Sequence, residues 1–242
     1  MNPPPRTSSV PEIDNGMSKT LHHGLLILRA LSEHPRGLTV SELADAVGVH
    51  RTVAHRLVRT LEAHQLTRRD HQRRIVLGTG LVSLAEPVQQ DLRALARPIL
   101  DELAETTRAT AHLLVREGTD EMRALMVVEP RGALVHVSFR PGQTHSIEQG
   151  SGGLALLADG PPRAGERPEV TEARAKGYAV TTGEVIPAVT GVSAAVPARG
   201  GEATTSIGIS VFEHTALDEL GAIVVRAATR LGELLDQGVF RK

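Results

Sequence analysis

Cysteine is absent from this chain, which excludes disulfides, thiolate chemistry and cysteine-ligated zinc. Tryptophan is absent too, with one tyrosine and three phenylalanines in 242 residues. Stacking platforms for single-stranded nucleic acid are therefore not expected, and the core must come mainly from Leu, Val, Ile and Ala. No apolar run approaches the roughly 18 residues of a membrane span, and no stretch has the shape of a signal peptide. The expectation is a cytoplasmic protein with no membrane partner. The chain is also short of net charge, at −1 overall, so nothing pulls it as a whole toward nucleic acid.

What charge there is sits unevenly. Residues 1–80 hold 11 Lys and Arg against 7 Asp and Glu, a net of +4, so the remainder carries −5. A basic front end on an acidic body concentrates any electrostatic footprint for DNA in one module.

Residues 38–77 hold the densest pattern in that module. Thr39 and Glu42 have capping-box spacing, and Leu43, Ala44 and Val47 form the inner side of a short helix. Gly48 stands where a helix C-terminus favours a left-handed residue. From Arg51 a second helix resumes, with Val53, Leu57, Val58 and Leu61 on one face and Thr52, His55, Arg56 and Arg59 on the other. Two short helices around a glycine turn make a helix-turn-helix, whose second helix can enter the major groove. Arginine there can pair bidentately with guanine. Arg68, Arg69, Arg73 and Arg74 flank a polar turn at Asp70 and His71, which reads as a basic hairpin, the wing. Thr39, Ser41 and Arg51 complete the expected DNA-binding set.

Along the chain, residues 1–17 read as a disordered Pro- and Ser-rich tail and 18–80 as the winged helix-turn-helix domain. Ser18 is placed to cap a first helix with Leu21, Leu25 and Leu28 on one face and Ile27 and Leu31 close beside it. Residues 81–107 form a linker helix region with Leu92, Leu95, Ile99 and Leu103 along one side, split or kinked at Pro87 and Pro98. In 108–242 strands alternate with helices. The spacing predicts strands at 112–115, 123–128, 134–140, 191–197 and 205–212, and helices at 150–158, 170–176 and 217–235. The predicted fold class is α+β: a winged helix-turn-helix, a linker helix and a mixed α/β domain over 108–242, for which the resemblance below implies effector binding and oligomerisation.

Seven segments in order give the chain a resemblance to the IclR family of bacterial transcription regulators. They are LTVSELADAVGVHRTVAHRLVRTLEAHQL, VLGTGLVSLA, LARPILDELAETTRATAHLLVREG, GLALLA, GYAVTTGE and SIGISV, with the wing between the first two. The resemblance implies a GAF-like C-terminal domain that binds a small effector, and a homodimer or dimer of dimers on palindromic double-stranded DNA. Carried onto matching positions, it places the effector at Gly150, Ser151, Gly152, Gly153, Thr181, Thr182, Gly191, Val192, Ala194 and Ser210. The chain departs from the family where Gln65 replaces a frequent glycine, Ile75 a frequent aromatic, and Gly152-Gly153 a frequent Gly-Lys. The stretch between Leu157 and Glu172 is also shorter than usual.

Physically, QGSGG ahead of a helix can offer backbone N–H groups to an anion, and Ser and Thr hydroxyls can orient it. An organic acid or an amide-like molecule is the expected effector. No catalytic role, metal or cofactor is expected. Ser151 lacks the glycine two residues earlier that a nucleophile elbow needs, and His112, His136, His145 and His214 lack metal-ligand spacing. The rival expectation makes the second domain a ligand-free assembly module. In that reading Leu217, Leu220, Val224, Leu231 and Leu235 of the last helix form the self-association seam.

Overall fold

The computed structural model describes residues 13–132, 137, 139–212 and 216–239. Residues 1–12 of the expected tail, His136 and His214 lie outside the described residues. The chain divides into two units that meet between Gln90 and Asp91.

In the first unit the helix ends follow from their caps. The Ser18 hydroxyl accepts from Leu21 N and starts α1 (Lys19–Glu33), which stops at His34 ahead of Pro35. Thr39 and Glu42 form the full capping box of α2 (Val40–Val47), and Gly48 closes it at φ 70°. The second reading-head helix, α3 (Arg51–Ala63), leads into the antiparallel hairpin of β1 (Thr67–Arg69) and β2 (Ile75–Leu77). Leu38 bridges to Ile75 beside it, and α4 (Gly80–Ala85) follows. Ile27, Leu31, Leu43, Leu57, Val58 and Ile75 form the core of this unit.

Two expected faces are turned differently. On α1 the buried side is Gly24, Ile27 and Leu31, while Leu21 and Leu25 are 63% and 56% exposed. That helix is apolar around much of its circumference, so periodicity alone does not select the inner stripe. On α3 Ala54 takes the inward place expected of Val53, which is 41% exposed. The stripe 54, 57, 58, 61 has the better helical spacing, but alanine is too weakly apolar to advertise it.

The chain leaves α3 through Gln65, held left-handed at φ 58°. Gly78 and Gly80 pack against its carbonyl, and Gly80 N donates to that oxygen at 3.0 Å. This close approach fixes where the wing returns to the helices.

The second unit begins with α5 (Gln90–Thr107). Pro87 separates α4 from α5, but Pro98 lies inside α5 without ending it. Ala96, Ile99, Leu100 and Leu103 are buried on both sides of Pro98, and that burial offsets an interruption of about 3 kcal/mol. Then come β3 (Thr110–Glu117), β4 (Glu121–Val128), β5 (Thr144–Ser146), α6 (Gly150–Asp159), α7 (Pro168–Lys176), β6 (Ala179–Thr182), β7 (Thr190–Ala195), β8 (Thr205–Val211) and α8 (Leu217–Val239). One six-stranded antiparallel sheet results, in the order β5-β4-β3-β8-β7-β6.

Residues 134–136 and 138 of the strand expected at 134–140 lie outside the described residues; among the described residues β5 pairs with β4 at the sheet edge. The GYAVTTGE segment contributes β6, a strand defined by its pairing with β7 more than by its own pattern. Strand alternation gives the sheet two different faces. One presents Ala111, Leu113, Val192, Ala194, Ile207 and Ile209 to a core shared with α5 and α8. Val224 and Leu231 of α8 are fully buried there, with Leu217, Leu220 and Leu235 packed against the same core. The seam of the rival reading is therefore used within the domain. The other face presents Ser193, Ser206 and His112 together with Leu114 toward α6.

Replacing Gln65 with glycine relieves the left-handed conformation and should raise stability by up to about 1 kcal/mol. Gly78→Ala would force a Cβ into the Gln65 carbonyl and should cost about 1–3 kcal/mol. Urea unfolding of the full chain, with amide exchange followed at α3, measures both. Equal midpoints for the two variants would contradict this packing.

Candidate nucleic-acid interface and effector cavity

The donor-rich side of α3 is built from its first turn. His50 caps the helix, its Nδ1 accepting from Thr52 N at 3.3 Å. Arg51, Thr52, His55, Arg56 and Arg59 are all exposed, and so is Val53 between them. A methyl-bearing side chain in such a row suits the thymine methyl group, a role the sequence pattern had assigned to the core.

The wing arginines divide into two kinds. Arg69 Nε pairs with Glu62 Oε1 at 3.0 Å. Arg74 donates to Gly37 O at 3.0 Å and to Glu42 Oε2 at 2.9 Å. These two tie the hairpin to the helices, whereas Arg68 and Arg73 stand exposed on its outer side. Thr39 is occupied by its cap: its hydroxyl accepts from Glu42 N, and its own N–H donates to Glu42. The hydrogen bonds from Thr39, with Arg74 adding to them, hold the Glu42 carboxyl below its usual range. Ser41, next in sequence, is exposed.

The second unit holds a partly open cavity of about 40 Å³ between the sheet, the start of α6 and the 181–189 segment, with Leu114, Phe139, Val185, Ile186 and Val189 as its apolar walls. That is room for only a few non-hydrogen atoms. Gly150, Ser151, Gly152, Thr181, Gly191 and Ser210 line it, six of the ten positions taken from the resemblance. The other four do not reach it. Val192 and Ala194 point to the opposite core, because alternate residues of β7 face opposite ways. Thr182 bonds to Thr190, and Gly153 allows α6 to approach the Ile147 carbonyl.

Several lining or adjoining groups were missed in the sequence. Ser193 shares the parity of Gly191, a signal that was present in GVSAAV. Its Oγ lies 2.8 Å from Ser151 Oγ and 3.3 Å from His112 Nε2, one buried hydrogen-bonded chain. His112 on β3 is 4% exposed and lines the cavity, as does His145 on β5. Each has a buried Nδ1 with no hydrogen-bond partner. Phe139 lies between the two imidazoles, with ring centroids 5.5 Å from His112 and 6.3 Å from His145. Burial, with the charge of His145 adding to it, pushes His112 down to about 3, and burial pushes His145 down to about 4. Both are neutral at pH 7. Nothing in their sequence spacing marks them, because sheet pairing brings them together.

Glu184 completes the wall. It accepts from Gly150 N at 2.8 Å, at the first turn of α6, and from Arg167 at 2.7 Å. Burial would raise its pKa, but the bonds from Arg167 and Gly150 override this and leave it below the usual carboxylate range. The 160–167 loop is held by Arg174, which pairs with Glu166 and donates to the Leu157 and Gly160 carbonyls. Chiefly through Arg174, the Glu166 carboxyl is lowered to about 2. Among the described residues no cluster of metal-ligating side chains occurs, and no helix is long and apolar enough to cross a membrane.

Comparison with known proteins adds the following. Residues 20–71 match the IclR helix-turn-helix domain. The chain is 30% identical over 105 residues to the HTH-type transcriptional regulator KipR of Bacillus subtilis, covering 43% of this chain and 42% of that one. It spans about half the length of the first curated relatives it matches. Its fold is similar to that of an IclR transcriptional regulator from Alicyclobacillus acidocaldarius, with TM-score 0.76, 23% identity, and 90% and 99% of the two chains covered. It is also similar to an IclR homolog from Microbacterium hydrocarbonoxydans complexed with 4-hydroxybenzoate, with TM-score 0.78, 20% identity, and 90% and 100% covered.

The two neutral histidines make stability depend on pH. Their folded pKa values lie below the unfolded value near 6.5, so the unfolded chain takes up protons first as pH falls. Their contribution is complete above about pH 6.5 and is lost on descending toward 4, up to about 2 kcal/mol for each histidine at pH 5. The melting temperature should therefore drop between pH 7 and 5, and His145→Asn should reduce that drop. Parallel pH profiles for the two proteins would contradict the assignment.

Proposed function

We propose, on the premise that this chain carries an IclR helix-turn-helix domain and the fold of the IclR regulators, that it is a transcription regulator that binds operator DNA and responds to a small molecule. The observation that carries the reading is the row Arg51, Thr52, His55, Arg56 and Arg59, exposed along a capped second helix with a basic wing behind it. In this reading α3 enters the major groove, Arg56 reads a base edge and Arg68 and Arg73 hold phosphates. Arg69 and Arg74 act indirectly, by fixing the wing.

The functional unit is a homodimer, which sets two α3 helices about one helical turn (roughly 34 Å) apart on a palindrome. The first unit supports this, since Leu21, Leu25, Val82 and Leu84 leave apolar surface exposed that a second copy would cover. The effector occupies the cavity at the start of α6, and a complex of a relative of similar fold with 4-hydroxybenzoate supports a small-molecule role for such a domain. A small acid or amide fits the serine, threonine and histidine groups there, with Leu114, Val185, Ile186 and Val189 as apolar walls around them. Binding acts by favouring one of two dimer states, so its influence is limited by its differential affinity for them. The burial of the α8 seam favours sensing over the rival assembly role.

Arg56→Ala should cost about 1–3 kcal/mol of operator affinity and relax sequence preference at one position. By contrast, Arg73→Ala should weaken all duplexes alike and lower the salt slope by about 1. Fluorescence-anisotropy titrations in a salt series distinguish them; identical behaviour of the two variants would contradict the division of labour. Leu25→Asp should raise the dimer dissociation constant at least about tenfold in sedimentation equilibrium, since one buried leucine is worth about 2 kcal/mol. An unchanged constant would place the dimer contact elsewhere.

A further inference from the structure

The cavity presents an unusual electrostatic problem to an acidic ligand. Its lining includes no lysine or arginine among the described residues. The anion position at the start of α6 is already filled, because Gly150 N donates to the chain's own Glu184. The nearest cation, Arg167, is committed to Glu184 at 2.7 Å and to Glu169 at 3.3 Å. What remains open is neutral: Ser151, Thr181, Ser210 and the imidazoles of His112 and His145, each with a buried ring nitrogen lacking a partner. A bare carboxylate brought there would be a buried charge beside Glu184 with no counter-charge, an arrangement that costs several kcal/mol.

Resting on the small-acid reading above, we propose that this cavity takes its acid together with one proton, drawn from solvent and shared between the ligand carboxyl and the imidazoles of His112 and His145. The titratable groups around the pair are few. His112 on β3 and His145 on β5 both pack against Phe139, Glu184 approaches from the loop before β7, and Arg167 at the start of α7 neutralises Glu184. The facing residues on α6, β7 and β8 are Ser151, Ser193 and Ser210, which do not titrate in this range. Glu184 and Arg167 remain ionised across the working pH, so the exchanging proton belongs to the histidines and the ligand. An uncharged imidazole with a free nitrogen can accept that proton and then donate to the carboxylate. The effector signal thereby becomes a combined signal of acid and pH.

The test uses the full chain with sodium acetate, sized to the cavity, and acetamide as its uncharged isostere. Binding is followed by NMR through the histidine ring C–H signals. Uptake of one proton makes acetate bind about tenfold more weakly at pH 6.5 than at 5.5, while acetamide binding stays flat. Glu184→Gln vacates the α6 N-terminus and leaves Arg167 unneutralised, so acetate should bind this variant more tightly and with a shallower pH slope. Acetate binding that ignores pH, in the presence of a normal Kd, would overturn proton linkage and leave the small-acid reading standing. Acetamide binding without acetate binding at any pH would overturn both, as would binding of neither.

Discussion

The close approach of α6 to the sheet is the constraint on which the second unit depends. A Cβ at Gly152 would overlap Leu114, one at Gly153 the Ile147 carbonyl, and one at Gly208 both the Ser193 hydroxyl and the Val192 carbonyl. The glycines let α6 lie close to the sheet. The sheet face beneath α6 mixes Ser193, Ser206 and His112 with Leu114 and Met122, whereas the opposite face, under α5 and α8, is filled by Val, Ile and Leu. A single antiparallel sheet is thus made into a structural side and a recognition side. The cavity lies at the start of α6, beside its first three residues.

The same division of labour runs through the reading unit. Its charged residues split into those that hold the fold and those left facing outward. Arg74 spans from the wing to Gly37 and Glu42, and Arg69 to Glu62, so the hairpin is positioned by the same residue type that it offers to phosphate. Composition could not separate these roles. A basic cluster reads as one patch until the pairing of each guanidinium is known, and that pairing depends on acidic residues up to 32 positions away.

What was legible in the sequence was the local chemistry. Ser18, the Thr39–Glu42 box and Gly48 announce helix ends because capping acts over three or four residues. Long apolar periodicity gave α5 and α8 in the same way. The inner face of α1 was not legible, since leucines lie on several sides of it, and neither was Ala54 as a core residue. In the cavity, glycine- and serine-bearing positions such as Gly150 and Ser151 were found through resemblance, but His112, His145 and Glu184 were not. These three converge only through the pairing of β3, β4 and β5 and through the loop before β7. The alternation of β7 turns Val192 and Ala194 to the opposite core and Ser193 to the Ser151 side, a distinction that resemblance of short segments does not carry.

The central claim is that the first unit reads duplex DNA by sequence. The most direct test is equilibrium binding of the full chain to a labelled duplex from the region upstream of its own gene, against a scrambled duplex of equal composition, across a salt series. Tight and selective binding to the upstream duplex, with affinity falling steeply as salt rises, is the result expected of α3 in the groove with the wing on phosphates. Absence of binding to either duplex even at low salt would contradict it.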